Sequence, residues 1–93
     1  MNETALKIIV QGVVQGVGFR YFVYTQATQM GLTGWTKNLP DGSVEVLACG
    51  NSGLLEQLVK DLRIGPGHAH VTSVETEQVV SEEQFDTFEI KGW

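Results

Sequence analysis

A glycine-rich segment near the start of the chain constrains its fold more than any other feature. Its sequence is Gly-Val-Val-Gln-Gly-Val-Gly-Phe-Arg, residues 12–20. An apolar, strand-like run, residues 6–10, leads into this segment, and a run with helical spacing, residues 19–30, leaves it. Because glycine adopts positive φ angles, the connection predicts a loop whose backbone N–H groups point toward one position.

The loop and the helix after it together favour an anionic ligand. A helix N-terminus carries positive partial charge, so Arg20 in the first turn opposes the helix dipole by about 0.3–1 kcal/mol. An anion bound between the loop and the guanidinium reverses that term, and a phosphate fits best. The spacing is neither that of a P-loop nor that of a dinucleotide-binding loop. A tight turn with a solvated arginine is the alternative.

Strand and helix patterns alternate along the rest of the chain. A first helix is predicted over residues 20–30 with Gly31 as its C-cap. A second helix is capped by Asn51 or Ser52 and stopped by Gly65-Pro66-Gly67. Its predicted buried stripe is Leu54, Leu55, Leu58 and Leu62. Apolar patterning predicts strands in five segments: 5–13, 32–39, 43–49, 69–79 and 85–91.

This order predicts one α+β domain, residues 1–93, with the split βαβ (ferredoxin-like) plan. We expect a mainly antiparallel sheet with both helices on one face, a sandwich of two layers. Right-handed crossovers place the first and third strands side by side. Pro40-Asp41-Gly42 has the chemistry of a turn between the second and third strands. The alternation slips between Val71 and Val74, which predicts a β-bulge.

Composition restricts the partners and the compartment. A net charge of −5 argues against a nucleic-acid partner. An acidic protein that binds an anion must concentrate positive charge at the binding site, and the available sources are Arg20, Lys37 and backbone N–H groups. The chain lacks an apolar span and a signal peptide, which predicts a cytoplasmic protein without a membrane partner. Cys49 is expected to be a small buried strand residue. His68 and His70 are expected on one strand face without further ligands, so no metal is predicted.

Two blocks of the sequence resemble the acylphosphatase family. The first block is Val14-Gln15-Gly16-Val17-Gly18-Phe19-Arg20, and the second is Gly34-Trp35-Thr36-Lys37-Asn38-Leu39-Pro40-Asp41-Gly42-Ser43-Val44-Glu45. Their order, their separation and the chain length fit the family, and the resemblance covers essentially the whole chain. Val13 departs from the pattern, because many members carry an arginine there. That departure lowers the positive charge near the phosphate but changes neither Arg20 nor Asn38.

The resemblance implies hydrolysis of the carboxyl–phosphate bond of acyl phosphates, giving a carboxylate and inorganic phosphate. The phosphate-binding arginine of the family falls on Arg20, and its catalytic asparagine falls on Asn38. The resemblance also implies a monomer without cofactor or metal, with inorganic phosphate as product and inhibitor. The predicted phosphate-binding residues are Gln15, Gly16, Val17, Gly18, Phe19 and Arg20.

The chemistry of these residues suits that reaction. The Asn38 carboxamide can orient a water but cannot deprotonate it. The leaving carboxylate needs no general acid, and phosphoryl transfer depends on positioning and charge neutralisation. Two alternatives stay open. From its position alone, Asn38 is more typical of a residue that bonds its own turn. A small split βαβ domain can also bind an anion as a regulatory module without hydrolysing it.

Overall fold

A computed structural model describes residues 4–80 and 83–91, which form strands and helices in the predicted order. The glycine segment lies between the first strand and the first helix, as the sequence predicts. The elements are β1 (Thr4–Val13), α1 (Phe19–Gln29), β2 (Thr33–Asn38), β3 (Val44–Gly50), α2 (Ser52–Ile64), β4 (His70–Val79) and β5 (Phe88–Ile90).

The strands form one sheet in the order β4-β1-β3-β2-β5. Neighbouring strands are antiparallel except β2 and β5, which are parallel. β1 and β3 are neighbours, as predicted. This pairing brings the end of β1 and the end of β2 to the same end of the sheet, since Val10 and Asn38 both pair with Val44. β5 ends there too, because Ile90 pairs with Thr36.

The hydrophobic core lies between the two helices and one face of the sheet. Ile8 and Val46 pair across β1 and β3 and are fully buried. α1 and α2 each contribute apolar side chains from successive turns to the same layer. The buried helical residues are Phe19, Val23 and Ala27 on α1, and Leu55, Leu58 and Leu62 on α2.

The end of α1 and the start of α2 lie where the sequence signals put them, although the C-cap of α1 is one residue before the predicted Gly31. Met30 is the C-cap of α1, Gly31 follows with a φ of +73°, and the Leu32 N–H donates back to the Ala27 carbonyl at 2.9 Å. Asn51 caps α2, because its Oδ1 accepts from the backbone N–H groups of Gly53 and Leu54. In the described part of the chain, neither helix is long and apolar enough to cross a membrane.

The predicted β-bulge is confirmed, whereas the predicted last strand is too long. Gln11 pairs with Ser73 while the next residue, Gly12, pairs with Val71, so Thr72 is the extra residue of the bulge. The last strand is confined to Phe88–Ile90, instead of residues 85–91, because β2 offers it only a short parallel register.

Three predictions of burial or placement are wrong. Leu54 is 39% exposed, because it lies about 100° around α2 from Leu55, outside the buried stripe. Cys49 is only partly buried, because it lies on the sheet face opposite the helices. His68 precedes β4, in a turn closed by the bond from the Ala69 N–H to the Pro66 carbonyl, so it does not share a strand face with His70.

Candidate active site

The segment between β1 and α1 has the backbone conformation that its glycines predict. Gly16 has a φ of +75° and Gly18 a φ of +78°, both in the left-handed region. A Cβ built on either glycine meets no heavy atom of the described residues within 4 Å. These glycines are therefore required by backbone conformation rather than by crowding, and the space beside them is open to a ligand.

The start of α1 adds positive partial charge to this space. Gly18 is the N-cap and offers no side chain to the first N–H groups, and the first turn, Phe-Arg-Tyr, carries no acidic residue. The first bond within the helix joins the Phe22 N–H to the Gly18 carbonyl at 3.0 Å. The three N–H groups before Phe22 have no acceptor within the helix. The helix start is therefore suited to an anion.

Arg20 is held at the same place by the end of β5. Its Nη1 donates to the backbone carbonyl oxygen of Lys91. The Lys91 N–H in turn donates to the carbonyl of Thr36 in β2, at 2.8 Å. A guanidinium has five N–H donors in a planar fork, so this one bond fixes the group and leaves donors for an anion.

Asn38 is the last residue of β2 and lies on the helix-covered face of the sheet, where it pairs with Val44. Its Oδ1 is buried and accepts no hydrogen bond from any described residue. An unsatisfied buried acceptor costs about 1–3 kcal/mol. The alternative in which Asn38 bonds its own turn does not account for this unsatisfied oxygen.

Arg20 and Asn38, eighteen residues apart in sequence, line one cavity of about 220 Å³. Larger hollows, of about 640 Å³ and 440 Å³, lie near Thr4 at the other end of the sheet and include none of the predicted site residues. The 220 Å³ cavity therefore contains the predicted site residues, although the two hollows near Thr4 are larger. Its other lining residues are Val14, Gly16, Gly18, Phe19, Tyr21 and Ile90.

Two of the predicted phosphate-binding residues, Gln15 and Val17, do not line this cavity. Val17 packs against the hydrophobic core. The Gln15 side chain lies against the β2–β3 turn, where its Nε2 donates to the carbonyls of Leu39 and Ser43 at 2.8 and 2.9 Å. Gln15 and Asn38 also line a further hollow, of about 440 Å³ and separate from those near Thr4, together with Lys37, Leu39 and Pro40.

Lys37 does not contribute its charge to the 220 Å³ cavity. Consecutive strand residues point to opposite faces, so Lys37 lies on the face away from Asn38. Its Nζ is 3.9 Å from Oε1 of Glu45 and 5.2 Å from the centre of the Trp35 ring. Among the described residues that line the cavity, Arg20 is the only cation.

Three cavity residues, Val14, Tyr21 and Ile90, were not among the site residues predicted from the sequence. Tyr21, which is 67% exposed, follows Arg20 in the first turn of α1 and stacks with Tyr24 at 6.1 Å between ring centres. Its position next to Arg20 in the sequence could have indicated that Tyr21 borders the site. Ile90 reaches the cavity through the parallel register of β5 with β2, which no local pattern reveals.

The carboxylates near the site have structural partners. Oδ1 of Asp41 accepts from the backbone N–H and the hydroxyl of Ser43, at 2.9 and 2.6 Å, and these bonds lower the pKa of Asp41 below its ordinary value of 3.8. Glu45 pairs with lysines on the opposite face. No cluster of three His, Cys, Asp or Glu side chains that could hold a metal is found among residues 4–80 and 83–91.

Comparisons with known proteins point to one family. The family model described as Acylphosphatase matches residues 6–90. An acylphosphatase of Chlorobaculum tepidum is 51% identical over 79 residues, which are 85% of this chain and 86% of that protein. One of Photobacterium profundum is 43% identical over 98% of this chain and 100% of its own. The solved acylphosphatase of Coxiella burnetii has a TM-score of 0.91 at 41% identity, covering 97% of this chain and 94% of its own.

Proposed function

Because the chain belongs to the acylphosphatase family and is an enzyme that hydrolyses acyl phosphates, we propose that the loop, Arg20 and Asn38 carry out this reaction. The observation that carries the proposal is the shared cavity, which Arg20, Asn38 and the loop glycines line and beside which the buried Oδ1 of Asn38 has no partner among the described residues. In this proposal the chain is a single cytoplasmic domain that acts as a monomer without cofactor or metal.

The phosphoryl group of the substrate is bound by the loop and Arg20. Backbone N–H groups of residues 15–20 surround its oxygens, and the start of α1 adds positive partial charge. The Arg20 fork contacts two oxygens at once, an arrangement that a single ammonium does not reproduce. Together they neutralise the negative charge that is spread over the phosphoryl oxygens in the transition state.

The attacking water is held by Asn38. Its Oδ1 accepts a hydrogen bond from the water, which satisfies the buried oxygen and directs a lone pair of the water toward phosphorus. The carboxamide does not take the proton, so the proton passes to a phosphoryl oxygen of the substrate. Holding the water near the phosphorus in the right direction removes much of the entropic barrier to the reaction.

The leaving group determines the class of substrate. When the P–O bond to the acyl group breaks, the electron pair stays on the carboxylate, which is stable at neutral pH without protonation. A phosphate monoester releases an alkoxide and needs an acid, and neither Arg20 nor Asn38 can serve as one near neutral pH. We therefore expect turnover of acyl phosphates and not of simple phosphate monoesters.

The proposal is tested by phosphate release from benzoyl phosphate, with a phenyl phosphate monoester as the matched substrate control. We expect release from the first and none from the second, and competitive inhibition by inorganic phosphate. A protein that binds phosphate without releasing it from benzoyl phosphate is instead the anion-binding module that the sequence left open.

A further inference from the structure

Gln15 is the one residue of the loop whose side chain can form strong hydrogen bonds. The loop runs between Val14 and Phe19, which are both buried in the core. The residues between Gln15 and Phe19 are two glycines, which have no side chain, and Val17. The Cβ positions of these glycines face open space, so of these three residues Val17 alone has a side chain that packs against the core and holds the loop.

The Gln15 carboxamide joins this loop to the hairpin that carries Asn38. Its Nε2 donates to the Leu39 carbonyl at 2.8 Å and to the Ser43 carbonyl at 2.9 Å, so both of its N–H bonds are used. The same hairpin turn is closed by the bond from the Leu39 N–H to the Ser43 carbonyl, at 2.9 Å. Leu39 directly follows Asn38, so the bridge reaches the backbone one residue from the proposed water-positioning group.

The sheet alone provides only an indirect connection between these two parts. β1, which leads into the loop, is separated from β2, which ends at Asn38, by β3. Two strand spacings amount to about 10 Å. The loop and Asn38 are therefore positioned relative to one another through an intermediate strand and through the Gln15 bridge, which is half-buried and spans between them directly.

We propose that Gln15 is a positioning residue: its carboxamide sets the distance between the phosphate-binding loop and Asn38. This inference rests on the proposed function, in which the phosphorus lies in the loop and the water lies on Asn38. Misplacement by about 1 Å can lower the rate by about 10²-fold. Loss of the bridge therefore slows the chemical step, while the loop and Arg20 keep their own contacts to phosphate.

The test uses Gln15→Met, which keeps the length of the side chain but has no N–H donor, and Gln15→Glu, which places a carboxylate against two carbonyl oxygens. Ser43→Ala is the matched control. It removes a hydrogen bond in the same turn, from the Ser43 hydroxyl to Asp41, but keeps the carbonyl that Gln15 contacts. Benzoyl phosphate turnover, inhibition by inorganic phosphate and urea denaturation are measured for each purified protein.

We expect both Gln15 variants to lose about 10- to 100-fold in kcat. Their inhibition constant for inorganic phosphate is expected to stay within about threefold of the unmodified protein, because the N–H groups of the loop and Arg20 remain. Ser43→Ala is expected to keep its kcat within about twofold, even where its urea midpoint falls as much as that of Gln15→Met. If Gln15 contributed only to stability, the Gln15 variants would not lose kcat while keeping their inhibition constant for phosphate.

A Gln15→Met protein with the kcat of Ser43→Ala overturns the inference. So does an equal loss in kcat and phosphate inhibition, because Gln15 then shapes the loop itself and does not align it with Asn38. Should Gln15→Met fail to fold, Gln15→Asn, which draws the carboxamide back by one methylene, is tested against the same outcomes. An unmodified protein without phosphate release refutes the proposed function, whereas normal release in every Gln15 variant refutes only the role of Gln15.

Discussion

Asn38→Ala is expected to change activity and stability in opposite directions. The substitution removes the group that orients the water, and loss of such a transition-state contact lowers kcat by about 10²–10³-fold. It also removes a buried carbonyl oxygen that accepts no hydrogen bond from the described residues. In the proposed function a water satisfies this oxygen, and immobilising that water costs about 0–2 kcal/mol, which the variant does not carry.

The size of the gain in stability follows from that oxygen. Immobilising the water costs about 0–2 kcal/mol, and part of the gain is offset because the half-buried side chain loses packing contacts. We expect the free energy of unfolding to rise by up to about 1 kcal/mol. For a domain of this size, that corresponds to a rise in Tm of about 4–8 °C.

Thr36→Val provides the matched control on the same face of β2. Thr36 is fully buried, but its hydroxyl donates to the Glu45 carbonyl at 3.1 Å, so its polar group is satisfied. Removing that hydroxyl is expected to cost about 1 kcal/mol and to leave kcat nearly unchanged. Urea midpoints and benzoyl phosphate turnover are measured for both variants. An Asn38→Ala protein that is destabilised like Thr36→Val, or that keeps its kcat, refutes the reasoning.

Four further predictions concern binding, the loop, metals and pH. Arg20→Gln abolishes turnover and weakens inhibition by phosphate, and Arg20→Lys stays badly impaired because an ammonium lacks the fork; near-normal kinetics of the lysine variant contradict a bidentate contact. Gly18→Val strains a left-handed position by about 1–2 kcal/mol, and it reduces phosphate binding, measured by inhibition, more than its urea midpoint predicts; loss of stability alone indicates a plain turn. Activity survives excess EDTA, is not raised by Mg²⁺ and survives His68→Ala and His70→Ala; restoration of lost activity by one metal overturns the mechanism. Because the pKa of Asp41 is lowered in the folded state, its stabilising contribution is present above pH 3.8 and is lost as the pH falls through the lowered pKa. Asp41→Asn therefore lowers stability near neutral pH, and the difference disappears in acid denaturation curves below that range.

Local sequence signals predicted the fold and the loop. Turn residues, caps and apolar periodicity act over a few residues, so they located both helices, the five strands and the bulge near Thr72. The positive φ angles of Gly16 and Gly18 follow from the same local chemistry. The error at Cys49 is also local. Side chains alternate along β3, so buried Val46 and Ala48 place Cys49 on the other face, away from the helices.

The side-chain partners of the site could not be predicted, because they join segments that are distant in the chain. The Nε2 of Gln15 meets carbonyls 24 and 28 residues later, and Arg20 meets a carbonyl 71 residues later. Each acceptor is a backbone oxygen, which every residue possesses, so no residue type marks it in the sequence. Patterns identify which side chains can donate, and only the topology determines which carbonyls are within reach.

The short last strand gains its importance from this topology. β5 has three residues, and among the strands that the structure describes it pairs only with β2, in a parallel register. Yet Ile90 lines the cavity, and the next residue, Lys91, accepts the bond from Arg20. A cation in the first turn of a helix is unfavourable by itself, and the Lys91 carbonyl is a partner outside the helix that offsets part of this cost. The strand therefore stabilises Arg20 at a position where α1 alone disfavours it, and it fixes the guanidinium before any phosphate binds.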